Sequence, residues 1–325
     1  MAQAEAKSRR PSGVSSRQQA APRGRWGLRV SQRTEEIILA YACLAPWLIG
    51  FVVFSIGPMF ASFALAFTNT DMLTGIKFIG LANFQELFHD KLAFKAWSVT
   101  ARYALGAIPL GIALGMAVAT LLNQNIPGRS VWRTLYYLPS VVSGIAVAIL
   151  WSWIFNPRIG LINSAIKAVS GIQGPKWIFS EEWALPSMVI MSLWGVGGSM
   201  LLYLAGLQSI PTQLYEAAKI DGAGALARFR HVTLPMLSPT IFFTLILAII
   251  GTFQFFTEPL VMTNGGPNNA TLSVMLYIYR KSFQQLHFGY ASLLAWVLFV
   301  IILACTLLVI RSSSIWVYYE GELRK

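Results

Sequence analysis

Charged residues are placed along this chain so as to leave six long, mostly apolar intervals that contain no Asp, Glu, Lys or Arg. They cover residues 37–70, 103–128, 134–157, 183–215, 231–257 and 282–310. Each exceeds the ~20 residues that an α-helix needs to cross ~30 Å of hydrocarbon at 1.5 Å per residue. The lack of charge has an energetic reason, since one Lys or Asp at the bilayer midplane costs roughly 2.5–3.5 kcal/mol. The pattern predicts an all-α membrane protein with six transmembrane helices over about 40–68, 103–124, 133–155, 185–208, 236–258 and 289–310, within one membrane domain at 37–313. A seventh uncharged interval, 259–279, is interrupted by Asn264-Gly265-Gly266-Pro267-Asn268-Asn269. Backbone groups freed by such a turn find no partner in lipid. It therefore reads as an exposed loop followed by a short surface helix from Thr271.

Composition agrees with the pattern. Hydrophobic residues make up 55 % of the 325 residues and charged ones 12 %, about half the usual soluble share. That excludes a soluble enzyme, a disordered chain and a disulfide scaffold; Cys43 and Cys305 both lie in apolar runs. The net charge of +12 raises nucleic acid as a partner, but membrane orientation accounts for the basic residues more economically. With six spans both termini share one side. Arg102 aside, 16 Lys and Arg residues fall on that side and 8 on the other. The positive-inside tendency then puts both termini in the cytoplasm, with a basic N-terminal tail at 1–36 and a C-terminal tail at 314–325.

Chemistry that would drive transport is missing. The sequence has no Gly-x-x-x-x-Gly-Lys-Ser/Thr phosphate loop and no Gly-Lys dipeptide. Ionisable residues inside the spans, which coupled carriers use, are nearly absent. His89, His231 and His287 are scattered near span ends and assemble neither a metal site nor a catalytic triad. Catalysis is not expected of this chain. The force must come from a partner.

The loop between spans four and five, 211–235, is where a partner would be held. Thr212 is suited to N-cap a short helix on which Leu214, Ala217 and Ala218 share a face. Asp221-Gly222 breaks that helix, Asp221 is suited to cap the next one, and Pro235 suits the first turn of span five. The expected product is a helix–turn–helix knob with a short second helix carrying Leu226 and Phe229, fit for insertion into a groove.

Glu216-Ala217-Ala218, then Gly222, then Val232-Thr233-Leu234-Pro235 resembles the EAA loop of binding-protein-dependent ABC importer permeases, with Val232 where Ile is usual. Pro58, Ser62-Phe63 and Phe78-Ile79-Gly80-Leu81-Ala82-Asn83-Phe84 look like the first-loop signature of the sugar-type permeases. Met262-Thr263-Asn264-Gly265-Gly266-Pro267, Leu276-Tyr277-Ile278-Tyr279 and Gly289-Tyr290-Ala291-Ser292 are similar to the tail of the maltose and glycerol-3-phosphate subgroup. The resemblance implies a six-span MetI-like permease fold in a bacterial or archaeal plasma (inner) membrane, working beside a second homologous permease. It implies an ABC ATPase dimer that binds ATP and Mg, with no cofactor in this chain, and an external solute-binding protein that delivers a sugar. Glu216, Ala217, Ala218, Asp221, Gly222, Leu234 and Pro235 would then couple to the ATPase.

Sugars are held by aromatic faces and hydrogen bonds, so Trp151, Trp153 and Asn156 in span three, Trp194 in span four, and Gln254, Thr257 and Glu258 in span five are candidates for the substrate pathway. Structural packing is the rival role for each. Gly265, Gly266 and Pro267 are candidates for docking the binding protein. Glycerol-3-phosphate or a polyol is the alternative cargo, although a phosphorylated one would favour a basic lining that the spans lack. A self-sufficient secondary carrier is the alternative class.

Overall fold

The computed structural model describes residues 32–71 and 75–318. The basic tail before Gln32 and the C-terminal Arg324 and Lys325 lie outside the described residues. Two compact units divide the chain, Met1–Gly57 and Pro58–Lys325. The first contains α1 (Gln32–Phe51) and a π-helical turn, Val52–Ile56. The second begins at Pro58, the second residue of α2 (Gly57–Leu65), and continues through the two-stranded antiparallel ribbon β1 (Thr68–Asn69) and β2 (Lys77–Phe78), in which Thr68 pairs with Phe78. After the ribbon come α3 (Ala82–His89), α4 (Lys91–Leu122), α5 (Arg129–Tyr137), α6 (Gly144–Ile154) and α7 (Leu161–Ser170). They are followed by α8 (Glu181–Trp194), α9 (Gly197–Ser209), α10 (Thr212–Ile220), α11 (Ala225–Arg228), α12 (Leu234–Phe253), α13 (Val274–Tyr279) and α14 (Phe288–Trp316).

Among the described residues four helical runs are long and apolar enough to cross a membrane: Glu36–Leu65, Lys91–Leu122, Ala225–Phe253 and Phe288–Trp316. Two further runs are bent, Arg129–Val141 with Gly144–Ile154 by 100° and Glu181–Trp194 with Gly197–Ser209 by 48°, and counting each pair as one span gives six. The continuous helices expected over 133–155 and 185–208 are therefore broken ones. Pro139 cannot donate a backbone hydrogen bond, and the chain there tightens to a 3-10 turn and extends at Val142. The second break, at Gly195, brings Gly197 so close to the end of α5 that a Cβ there would lie 2.2 Å from the Tyr136 carbonyl oxygen. Large apolar side chains such as Leu105, Leu150 and Leu308 are exposed, as suits a surface solvated by hydrocarbon.

Helix α4 begins at Lys91 rather than at the first uncharged residue, Tyr103, because the Asp90 carboxylate caps it, accepting from Leu92 N (2.9 Å) and Ala93 N (3.1 Å). The helix thus carries Lys91, Lys95 and Arg102. It packs on α8, α9 and α12. A Cβ at Gly106 would meet Val189 at 3.2 Å and one at Gly115 would meet Ser199 Oγ at 2.8 Å, whereas Gly111 has open space. Of Gly111 and Gly115, four positions apart, only Gly115 serves packing among the described residues.

The segment 259–279 differs most from expectation. Thr271, Leu272, Ser273, Val274 and Leu276 are buried, so the helix from Val274 is a core element and not a surface one. The turn before it pairs its own backbone: Gly265 N donates to Pro259 O, Gly266 N to Thr263 O, and Thr271 Oγ1 to Gly266 O, while the Thr263 and Thr271 hydroxyls share a bond of 2.7 Å. Val274 N is satisfied by Thr100 Oγ1 on α4. Polar residues that suggested exposure instead supply the bonds that let the segment be buried.

Candidate functional site

The 211–235 loop forms a hairpin whose inner side is fixed and whose outer side is bare. Helix α10 starts after extended Pro211 with no side-chain cap, so Thr212 lies inside the helix and does not cap it. It closes with Asp221 N on Ala217 O, Gly222 N on Lys219 O and Ala223 N on Ala218 O, and Gly222 adopts φ +76°, a conformation that disfavours any Cβ. Asp221 does not cap the next helix either; that position is Gly224, without a side-chain bond.

The expected short second helix is instead the beginning of span five. α11 passes through a π-helical turn, Phe229–Thr233, directly into α12 as one run, Ala225–Phe253. The turn has a local cause: Pro235 lacks the N–H that would continue the ladder, and Leu234 N reaches back to Phe229 O. Leu234 and Pro235 accordingly sit within the helix that enters the bundle.

A hydrogen bond of 3.0 Å between the Tyr215 and Thr233 hydroxyls ties α10 to this run, and Tyr215, Val232 and Met236 pack on a core of Leu207, Ile210 and Leu237. On the other side Glu216, Ala217, Asp221 and Gly222 are exposed, Ala218 is half-buried, and Ile220 and Leu226 are 87 % and 80 % exposed. Among the described residues nothing would lie within 4 Å of a Cβ at Gly222, so the glycine serves the turn and not packing.

Gln254, Thr257 and Glu258 come together. With Tyr103 and Thr252, which the sequence did not single out, they line a polar cavity of about 360 Å³ where α12 ends. Tyr103 stacks on Phe255 with ring centroids 3.8 Å apart. The tryptophans are elsewhere. Trp151 and Trp194 meet edge to face at 6.1 Å, and Trp194 lines a separate cavity of about 300 Å³ with Trp132 and Tyr136. Trp153 is 55 % exposed. Asn156 serves a local turn, its Oδ1 accepting from Arg158 N and Ile159 N.

Gly265, Gly266 and Pro267 lie in the tight turn ahead of α13 rather than in a free loop. Gly265 is buried at φ +78°, a Cβ there would fall 2.9 Å from an Arg280 nitrogen, and the Arg280 guanidinium donates to Asn264 O. Lys95 Nζ donates to Asn268 O at 2.6 Å. Beside this turn stands a node that sequence reading missed. Asp90 accepts from Tyr277 Oη at 2.5 Å and Tyr290 Oη at 2.7 Å, and the Lys281 ammonium lies over both rings. Burial raises the Asp90 carboxyl, but the two tyrosine hydroxyls and the Ala93 and Leu92 amides outweigh it, so its pKa falls below the ordinary value. Burial, followed by the Asp90 contact, holds the Tyr277 hydroxyl far above its ordinary value, so it remains a donor. Tyr277 and Tyr290 belong to quoted motifs, yet nothing in either motif indicates that they share one carboxylate.

Apolar helices around a polar cavity, with an amphipathic hairpin left bare at one end, are the architecture of a membrane-embedded transport component. The chain belongs to the family described as "Binding-protein-dependent transport system inner membrane component", which matches residues 107–319. It is 40 % identical over 289 residues to the probable ABC transporter permease protein YesP of Bacillus subtilis (strain 168), covering 88 % of this chain and 93 % of that protein. It is 35 % identical to the multiple sugar-binding transport system permease protein MsmF of Streptococcus mutans, covering 81 % and 91 %. A crystal structure of a bacterial alginate ABC transporter, in complex with alginate pentasaccharide-bound periplasmic protein, contains a chain similar to this one. That match has a TM-score of 0.77 and 25 % identity, covering 88 % of this chain and 97 % of that one. The resemblance drawn from the Glu216-Ala217-Ala218 loop is borne out: this is the permease subunit of an ABC importer.

Proposed function

We propose that this chain lines the translocation path for a carbohydrate handed over by an external binding protein, beside a second homologous permease. We further propose that a separate ATPase pair, which binds the ATP and Mg, drives it through the 211–235 hairpin. The names of similar proteins support the sugar class, since MsmF is called a sugar-binding transport permease and the alginate transporter was crystallised with a saccharide-loaded periplasmic protein. The cavity at Gln254, Thr257 and Glu258 supports it too: hydroxyl, amide and carboxylate groups suit a polyhydroxyl ligand, and no Lys or Arg lines it to favour a phosphate. A cytoplasmic hairpin agrees with the cations at its end of the bundle, Arg129, Arg133, Lys219, Arg228, Arg230 and Arg311.

The observation that carries the coupling role is a hairpin continuous in one helical run with span five, whose outer side leaves Ile220, Leu226 and Glu216 exposed and uncovered among the described residues. Glu216→Lys and Gly222→Val should each abolish association of the cognate ATPase and ATP-dependent sugar uptake in reconstituted vesicles. Gly222→Asn should preserve both, because Asn tolerates the left-handed backbone. Association and uptake that survive both disruptive substitutions would overturn the coupling role.

A further inference from the structure

Along the seam of α4 and α8 runs an open groove of about 590 Å³ that plays no part in the hairpin or the polar cavity. Its upper walls are charged and its lower walls are not: Lys95, Arg102, Glu181 and Glu182 give way to Leu110 and Ile190, both exposed. Lys95 and Glu181 are occupied, through Asn268, which accepts from one and donates to the other. Arg102 and Glu182 are not. Arg102 makes one hydrogen bond, from Nε to Ser98 O at 3.3 Å, and neither residue has an ion-pair partner among the described residues.

The depth of Arg102 is informative. Residues 103–122 of α4 carry no charge, and at 1.5 Å per residue that stretch is about 30 Å long, the thickness of the hydrocarbon. Arg102 therefore stands at the hydrocarbon edge, at the level of lipid phosphates, beside an apolar surface. A guanidinium at that depth is within reach of a lipid phosphate, an attraction of about 1 kcal/mol.

We propose that this groove binds one phospholipid with a primary-ammonium headgroup, phosphatidylethanolamine. Its phosphate pairs with Arg102, its ammonium with Glu182, and an acyl chain lies along Leu110 and Ile190. The charges in the groove select the headgroup: a cation at phosphate depth and a carboxylate at the rim match a zwitterion better than an anionic lipid. The ammonium's three donors suit Glu182, whereas the quaternary amine of phosphatidylcholine has none.

The test is native mass spectrometry of the assembled importer, released from bilayers of equal parts phosphatidylethanolamine, phosphatidylcholine and phosphatidylglycerol. Phosphatidylethanolamine should be retained in preference to both competitors. Arg102→Gln should lower its retention about fivefold, the loss of one cation–phosphate contact, and Glu182→Gln should erase the preference over phosphatidylcholine. The wild-type competition decides the matter should Arg102→Gln fail to assemble. Equal retention of the three lipids, preference for phosphatidylglycerol, or cross-linking of a cysteine at Leu110 to the second permease would each overturn the proposal.

Discussion

A few side chains and missing side chains fix how the spans meet. A Cβ on Gly289 would lie 1.9 Å from the backbone oxygen of Thr68, with no flexible atom to yield. Gly289→Ala should therefore lower stability by about 1–3 kcal/mol, as overpacking does. Gly111→Ala, facing open space, should be neutral or stabilise by up to about 1 kcal/mol; thermal unfolding in detergent separates the two. Asp90 allows a test by pH. Its folded-state pKa lies below the ordinary value, so its contribution is full above about pH 5 and fades as the pH falls below about 4. The stability margin of the wild type over Asp90→Asn should shrink in that window, and a margin independent of pH would exclude an ionised Asp90 as the acceptor. This node was not legible in the sequence. Its bonds join residues 187 and 200 positions apart, and no local pattern carries such a pairing.

At the level of elements, what could be read was what hydrocarbon excludes. Charge-free runs marked the spans, and an Ala-rich, Gly-broken stretch marked the hairpin. The breaks were obscured because Pro139 and Gly195 sit in apolar runs, and composition does not register a 100° bend. The start of α4 was misplaced because a cap, not polarity, begins a helix. The 259–279 segment was misread because Thr263 and Thr271 bond inward. The continuity of the hairpin with span five was missed for a related reason: Pro235 suggests a helix start, while the π-helical turn absorbs it. That continuity should matter for work transfer. Replacing Arg230 and His231 by glycine, at about 1 kcal/mol each in a helix interior, should leave the ATPase bound and hydrolysing ATP. Sugar uptake should fall at least about tenfold, roughly the combined helical cost. Unchanged uptake would mean that the rigid run does not carry the motion.

For the molecule as a whole, features of opposite character lie at opposite ends of the bundle. At one end Asp90, Tyr277, Tyr290 and Lys281 contact one another and the 264–271 turn bonds its own backbone, with Arg102 and Glu182 of the groove left open beside them. The other presents Ile220 and Leu226 with nothing among the described residues to cover them. An importer permease moved by an external motor fits that division, since a bare apolar hairpin is a liability unless a partner covers it. The most direct measurement is site-specific photo-cross-linking in native membranes, with the probe at Ile220 or Leu226 and a control at Asn268. The expected result is an adduct with the ATPase from the first two positions and none from the third. Labelling of Ile220 from outside the cell, or no adduct from either hairpin position, would contradict it.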